Sequence, residues 1–196
     1  MTAPKSDREL IVEVLKGDTR AFEPLVQRYQ SLVASVILRI VQDQEAVRDL
    51  TQDCFVKAYR NIKSYQLDRP FKTWLLTIAN NSAIDYLRAK KPALSLESLL
   101  EEEPHLEPGQ SAQSESQLET ELTMEGLARA LDQIPVRYRQ AFILRYQFDL
   151  SYQDIAQVMH ESEANVRNLL FRAKSSLRKL IADSALGLYQ SEGIQL

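Results

Sequence analysis

Apolar residues recur along this chain at intervals of three and four, and alternating runs are few, so the pattern predicts helices throughout. Ser6 and Glu9 make a capping box for a first helix reaching about Lys16, and Gly17 is placed to end it. Asp18 can cap a second helix, whose apolar positions Phe22, Leu25, Val26, Tyr29, Leu32, Val33, Val36, Ile37 and Ile40 continue to Val41. Pro24 falls just past its first turn. Asp43 opens a third helix to about Ile62, in which Val47, Leu50, Cys54, Ala58 and Ile62 step toward a core. Asp49, Gln52, Asp53 and Lys57 fall on the other side. After the loop KSYQLDRP a fourth helix runs from Phe71 to Lys91, and Pro92 ends it. Trp74, Thr77, Asn81, Asp85 and Arg88 share one stripe of this helix, and Leu75, Ala79 and Tyr86 share another.

The pattern resumes at MEGLARALDQI, is punctuated by Pro135, and continues in VRYRQAFILRYQF, where Ala141, Phe142, Leu144 and Tyr146 are expected in a core. From Ser151 to Ile181 it predicts two helices joined by a very short turn. Ser151 with Asp154 caps the first, and Ile155, Ala156, Val158 and Met159 form its apolar face. His160 and Glu161 make the break, and Ser162 caps the second. In that second helix Val166, Leu169, Leu170, Ala173, Leu177 and Leu180 recur at helical spacing. Arg167, Asn168, Phe171, Arg172, Lys174, Arg178 and Lys179 fall largely outside the apolar stripe. A basic helix after a tight turn is the helix-turn-helix arrangement, which reads base edges in the major groove from the N-terminal part of its second helix. A solvated charged face has the same pattern.

Composition changes the picture between the two helical stretches. From Ala93 to Thr123 there is no Lys or Arg but there are eight acids, together with Pro104, Pro108, Gly109 and the polar run QSAQSESQ. Such a segment has too little apolar surface to order itself, so it is expected to be a linker. Leu94, Leu96, Leu99 and Leu100 at its start form a short apolar patch. The net charge of −3 therefore misleads: setting those eight acids aside leaves 24 Lys and Arg against 19 Asp and Glu, a net of +5. The expectation is an all-α chain of two small helical domains, residues 1–92 and 124–184, joined by a flexible acidic linker at 93–123. A C-terminal tail follows at 185–196.

Candidate chemistry narrows the function. One cysteine, Cys54, and two scattered histidines, His105 and His160, offer no disulfide framework and no metal-ligand spacing. No nucleophile with a base and no phosphate loop stands out, so no catalytic residue and no cofactor are assigned and an enzyme is not expected. No apolar stretch is long enough for a signal peptide core or a membrane span, and a cytoplasmic protein without membrane insertion is expected. The Asp49, Gln52 and Asp53 face fits a dock for a basic partner or a plain solvated surface. A Trp, an amide and cations beside a basic aromatic loop fit single-stranded DNA, which needs stacking rings and neutralised phosphate. Trp74 on spacing alone equally fits a core aromatic.

Three runs carry a resemblance: DLTQDCFVKAYRNI at Asp49 to Ile62, FKTWLLTIANNSAIDYLR at Phe71 to Arg88, and the stretch from Leu131 to Leu180. Together and in this order they resemble a bacterial sigma factor of the extracytoplasmic-function (ECF) group. The resemblance covers nearly all of the chain apart from the linker and the last dozen residues. It implies promoter recognition for RNA polymerase. Asp49, Gln52, Asp53 and Lys57 would meet the β′ clamp helices of the core enzyme, with the β flap as a further contact. Lys63, Tyr65, Arg69, Lys72, Trp74, Asn80, Asn81 and Arg88 would melt the minus-ten element and hold a flipped base. Asn165, Arg167, Asn168, Phe171, Arg172 and Lys174 would read the minus-thirty-five element. A monomer controlled by an anti-sigma factor is also implied. The chain departs from the family pattern at Asn165, Leu169 and Phe171, and at the turn, where His160 stands near the usual Gly. The promoter sequence is therefore not carried over, and Leu169 reads as core.

Physical cost supports a larger partner. Unpairing DNA costs about 1.4 kcal/mol per base-pair step, more than two mildly basic domains could sustain over a bubble. The free chain is thus expected to bind duplex weakly and with steep salt dependence. A dimeric helix-turn-helix regulator, which would need a palindromic site, and an α-helical adaptor are the rival readings.

Overall fold

The structure, a computed structural model, describes residues 5–90 and 124–191, and every regular element among them is helical. The linker, its leucine patch, Pro92, His105 and the residues beyond 191 lie outside the described residues. Helices α1 (Asp7–Leu15), α2 (Glu23–Val41), α3 (Gln44–Asn61) and α4 (Phe71–Lys90) form the first stretch. Helices α5 (Met124–Gln133), α6 (Val136–Tyr146), α7 (Tyr152–Met159) and α8 (Glu163–Ser191) form the second. Contacts divide the chain into two units: the first takes in the described residues up to 90 together with Gln153–Glu161, and the second takes in 124–152 and the chain from Ser162.

The helix boundaries follow local chemistry. The Ser6–Glu9 capping box is present in both directions, and Gly17, at φ 105, donates its N–H to Val14 O as the chain leaves α1. Only a residue without a Cβ takes that backbone conformation at no steric cost. Asp18 caps a short 3₁₀ turn, Thr19–Phe22, rather than α2 itself. The reason is Pro24, which sits within the first two positions of α2, where its missing N–H costs nothing. α2 ends on Gln42 in the left-handed conformation, with its N–H returning to Leu38 O at 2.9 Å.

In the first unit α2, α3 and α4 pack on one another around Leu25, Val33, Val36, Ile37, Cys54, Leu75 and Leu76, all buried. Cys54 and Ala58 on α3, and Ala79 and Ala83 on α4, are wholly buried small residues that let the helices approach. The Cys54 thiol is directed at Leu75 O, and burial pushes its pKa up to about 12, so it packs as an inert group. Val47 and Leu50, expected in the core, are only half-buried.

Asp43 ties the ends of α3 and α4 together. One carboxylate oxygen accepts from Ala46 N–H at 3.2 Å; the other accepts from Tyr86 Oη at 2.9 Å and Lys90 Nζ at 2.6 Å. These bonds hold its pKa well below the usual carboxylate range, the Lys90 bond contributing most. α1 is strapped down by Asp7, which accepts from Arg28 and from the Tyr29 hydroxyl.

In the second unit α8 packs mainly on α6 and also on α5, with Tyr138, Ala141, Leu144, Val166, Leu170, Ala173 and Leu177 buried. Arg139 of α6 is also buried, with Asp132 of α5 3.7 Å from its Nη1, and burial lowers its pKa. Tyr146 corrects the expected core: it is 48% exposed, its ring lying 4.7 Å from Phe142 with Lys174 Nζ 5.2 Å over it. α8 also runs to Ser191, ten residues beyond the expected end at Ile181 and through most of the segment expected as a tail.

Candidate nucleic-acid interface

The turn between α7 and α8 is built without glycine. His160 takes the left-handed conformation at φ 55, and Glu161 N–H returns to Ala156 O at 2.9 Å, closing the end of α7. Histidine is among the side chains that tolerate this region. Ser162 Oγ then accepts Asn165 N–H at 3.1 Å and starts α8. Three residues, His160, Glu161 and the capping Ser162, separate the two helices, in the order the spacing predicts.

The six residues expected to read duplex DNA from α8 fall into two groups. Arg167, Asn168 and Phe171 are exposed, Phe171 by 39%, a large value for an aromatic ring with no packing role. Arg167 pairs with Glu163 at 3.6 Å and lies 5.9 Å over the Tyr152 ring, which Arg145 flanks at 5.6 Å. Asn165, Arg172 and Lys174 are half-buried. Arg172 Nη1 donates to the buried Tyr138 hydroxyl at 3.3 Å, and Lys174 leans over Tyr146, so both cations also brace α8 on α6. Leu169 is buried, in agreement with its reading as core. Tyr152 escaped the sequence reading; it stands next to the capping Ser151, and only the fold brings two guanidinium groups to its ring.

Of the eight residues expected at the minus-ten element, Tyr65 and Trp74 belong to an aromatic cluster. Tyr65 and Trp74 are 5.2 Å apart, Phe71 lies 5.6 Å from each, and Tyr29 of α2 lies 5.6 Å from Phe71. The Tyr65 hydroxyl donates to Arg69 O and thereby folds the loop back on itself. Burial raises the Tyr65 pKa. Trp74 is half-buried, so it packs and presents an edge at once. Lys63, Arg69 and Arg88 are exposed, Arg88 beside Asp85 at 3.6 Å, and Lys72 is half-buried. The two amides differ. Asn80 is 5% exposed and its Nδ2 donates to Val158 O at 3.4 Å, whereas Asn81 is exposed with its Nδ2 3.2 Å from His160 Nε2. Phe71 and Tyr29 also belong to this cluster; in sequence Phe71 marks only the start of the fourth helix and Tyr29 an apolar position of the second.

The residues of α3 expected to meet polymerase share one exposed side. Asp49, Gln52 and Asp53 are exposed along one side with Val56, 40% exposed, one turn further on. Lys57 is exposed too, and its Nζ donates to Ser82 Oγ of α4 at 2.9 Å. Among the described residues no group of three or more His, Cys, Asp or Glu is placed to hold a metal ion, and no helix is long and apolar enough to cross a membrane.

An all-helical chain with a helix-turn-helix and exposed cations on its second helix belongs to the class of DNA-binding proteins. Comparison with known proteins defines the class further. Residues 25–92 match the family model for Sigma-70 region 2, and residues 124–177 match that for Sigma-70, region 4. The chain is 37% identical over 183 residues to the ECF RNA polymerase sigma-E factor of Escherichia coli, covering 90% of this chain and 95% of that protein. It is 33% identical over 191 residues to the RNA polymerase sigma-H factor of Pseudomonas aeruginosa, covering 92% and 96%. The fold is shared with CnrH, solved in complex with the cytosolic domain of CnrY, at a TM-score of 0.66 and 24% identity over 91% of this chain and 99% of that one. It is shared too with the sigma factor RpoE of Bartonella quintana, solved with the anti-sigma factor NepR, at 0.63 and 19% over 84% and 98%. The chain belongs to the sigma-70 family, in its ECF group.

Proposed function

We propose that this sigma factor binds core RNA polymerase through the Asp49, Gln52 and Asp53 face of α3 and delivers it to promoters through two separate DNA contacts. Arg167, Asn168 and Phe171 of α8 read the duplex minus-thirty-five element. The aromatic cluster of Tyr65, Phe71 and Trp74, with Lys63, Arg69, Lys72, Arg88 and the exposed Asn81, takes the opened minus-ten strand. The observation that carries this reading is that one chain pairs an exposed basic helix face, suited to a groove, with a half-buried tryptophan in an aromatic cluster, suited to an unstacked base.

Residues 1–92 and 124–184 act as the two functional domains in this reading, with the acidic segment 93–123 as tether. The chain works by binding alone, as a cytoplasmic monomer, and an anti-sigma factor covers these surfaces until a signal releases them. The Bartonella RpoE, alike in fold, was solved with the anti-sigma factor NepR, which supports that last element. Run-off transcription by core polymerase on genomic fragments, with and without the chain, tests the whole: discrete transcripts only with the chain support it, and identical products in both lanes overturn it.

A further inference from the structure

Lys57 lies one turn beyond Asp53 and two beyond Asp49, so on α3 alone it belongs to the same outward edge. The residue is exposed, yet its side chain also reaches α4. The ammonium crosses to α4 and donates to Ser82 Oγ at 2.9 Å, and Ser82 is 3% exposed. Ser82 follows Asn81 directly and stands two turns beyond Trp74 on α4. One to two turns further along α4, Tyr86 and Lys90 make a second tie to α3 through Asp43. The same helix pair buries small residues, Cys54 and Ala58 on α3 and Ala79 and Ala83 on α4, which offer little side chain to interlock. A charged group hydrogen-bonded to a buried hydroxyl is directional and fixes the rotation of one helix against the other.

We infer that Lys57 and Ser82 form a positioning pair that holds the strand-opening helix α4 in register with the polymerase-docked helix α3, and that Lys57 is not itself a polymerase contact. The pair sets where Trp74 and Asn81 come to lie once Asp49, Gln52 and Asp53 are docked. This inference rests on the proposed sigma function. Losing the pair leaves docking intact and misplaces the residues that receive the opened strand.

The test uses the full chain, core polymerase and a promoter fragment selected by run-off transcription. Lys57→Met keeps the stem and removes the donor; Ser82→Ala removes the acceptor at a site no partner can touch. Each is expected to leave affinity for core polymerase within about twofold and to lower open-complex formation, read by permanganate reactivity, about fivefold. The double variant is expected to be no worse than either single one, and Lys57→Arg, which retains a donor, to restore most of the reactivity. Weaker polymerase binding by Lys57→Met with Ser82→Ala unaffected overturns the inference, as do additive losses or two singles indistinguishable from wild type. A wild-type chain that fails to open the promoter with core polymerase would overturn the sigma reading itself, a separate result.

Discussion

The two regions proposed to contact DNA differ in how their side chains are disposed. On α8 the proposed reading residues Arg167, Asn168 and Phe171 are exposed, and the core is carried by Val166, Leu169, Leu170, Ala173 and Leu177 on the opposite stripe. On α4 and its loop the same rings that would stack a base also pack on one another: Trp74 on Tyr65 and Phe71, Phe71 on Tyr29. A duplex offers its edges in an open groove, so a helix can read it with residues that do nothing else. An unstacked base needs a walled pocket, and the wall is part of the core. Recognition is thus separable from stability on α8 and inseparable from it on α4.

The largest expected effect breaks the pocket. Trp74→Ala should lose roughly 3 kcal/mol of folding stability, in the lower range for an aromatic removed from a core, and promoter opening with it. Chemical denaturation and permanganate reactivity check both; an unchanged denaturation midpoint would break the comparison. Arg167→Ala is the opposite case. It should cost about 1–3 kcal/mol of discrimination at one promoter position while thermal stability stays within a degree or so of wild type, as measured by run-off on variant promoters and by melting. Arg172→Ala sharpens the boundary between the two. Because its guanidinium serves Tyr138 as well as the exposed face, it should lose about 1 kcal/mol of stability along with promoter binding.

The smallest effect concerns the frame that holds α4 on α3. The Asp43 carboxyl is held below its ordinary range in the folded chain by Lys90, Tyr86 and the Ala46 amide. A depressed folded pKa contributes stability that is fully present above the unfolded value near pH 4 and is lost as pH falls toward the folded one. Asp43→Asn should lower Tm at pH 7 by a few degrees and flatten the decline of Tm between pH 4 and pH 3. Melts of both proteins across that window check it.

The same division explains what was legible in the sequence. Several helix ends were, because the Ser6–Glu9 box, Gly17, His160 and Ser162 act within a few residues of themselves, whereas the end of α8 carries no such local signal. The α8 face was too, since a single helical period separates Leu169 from Asn168 and Phe171. What depends on a second helix was not. Nothing near Lys57 announces Ser82, and nothing near Tyr29 announces Phe71. Nor does the neighbourhood of Tyr138 point to Arg172. Tyr146 misled for the same reason: its spacing from Phe142 marks a shared face, but α8 covers that face with a lysine rather than burying it. Asn80 and Asn81 share one adjacency in sequence, and only packing separates the buried amide from the exposed one.

The central claim, that two DNA contacts on one chain open a promoter only when α3 is docked on polymerase, is tested most directly by permanganate footprinting of a promoter fragment. The chain, core polymerase and both together would be compared on the same DNA. The account predicts reactive minus-ten thymines only with both present, and their loss with Asp53→Arg. Tight promoter binding and the same reactivity with the chain alone, unchanged by added polymerase, would contradict it.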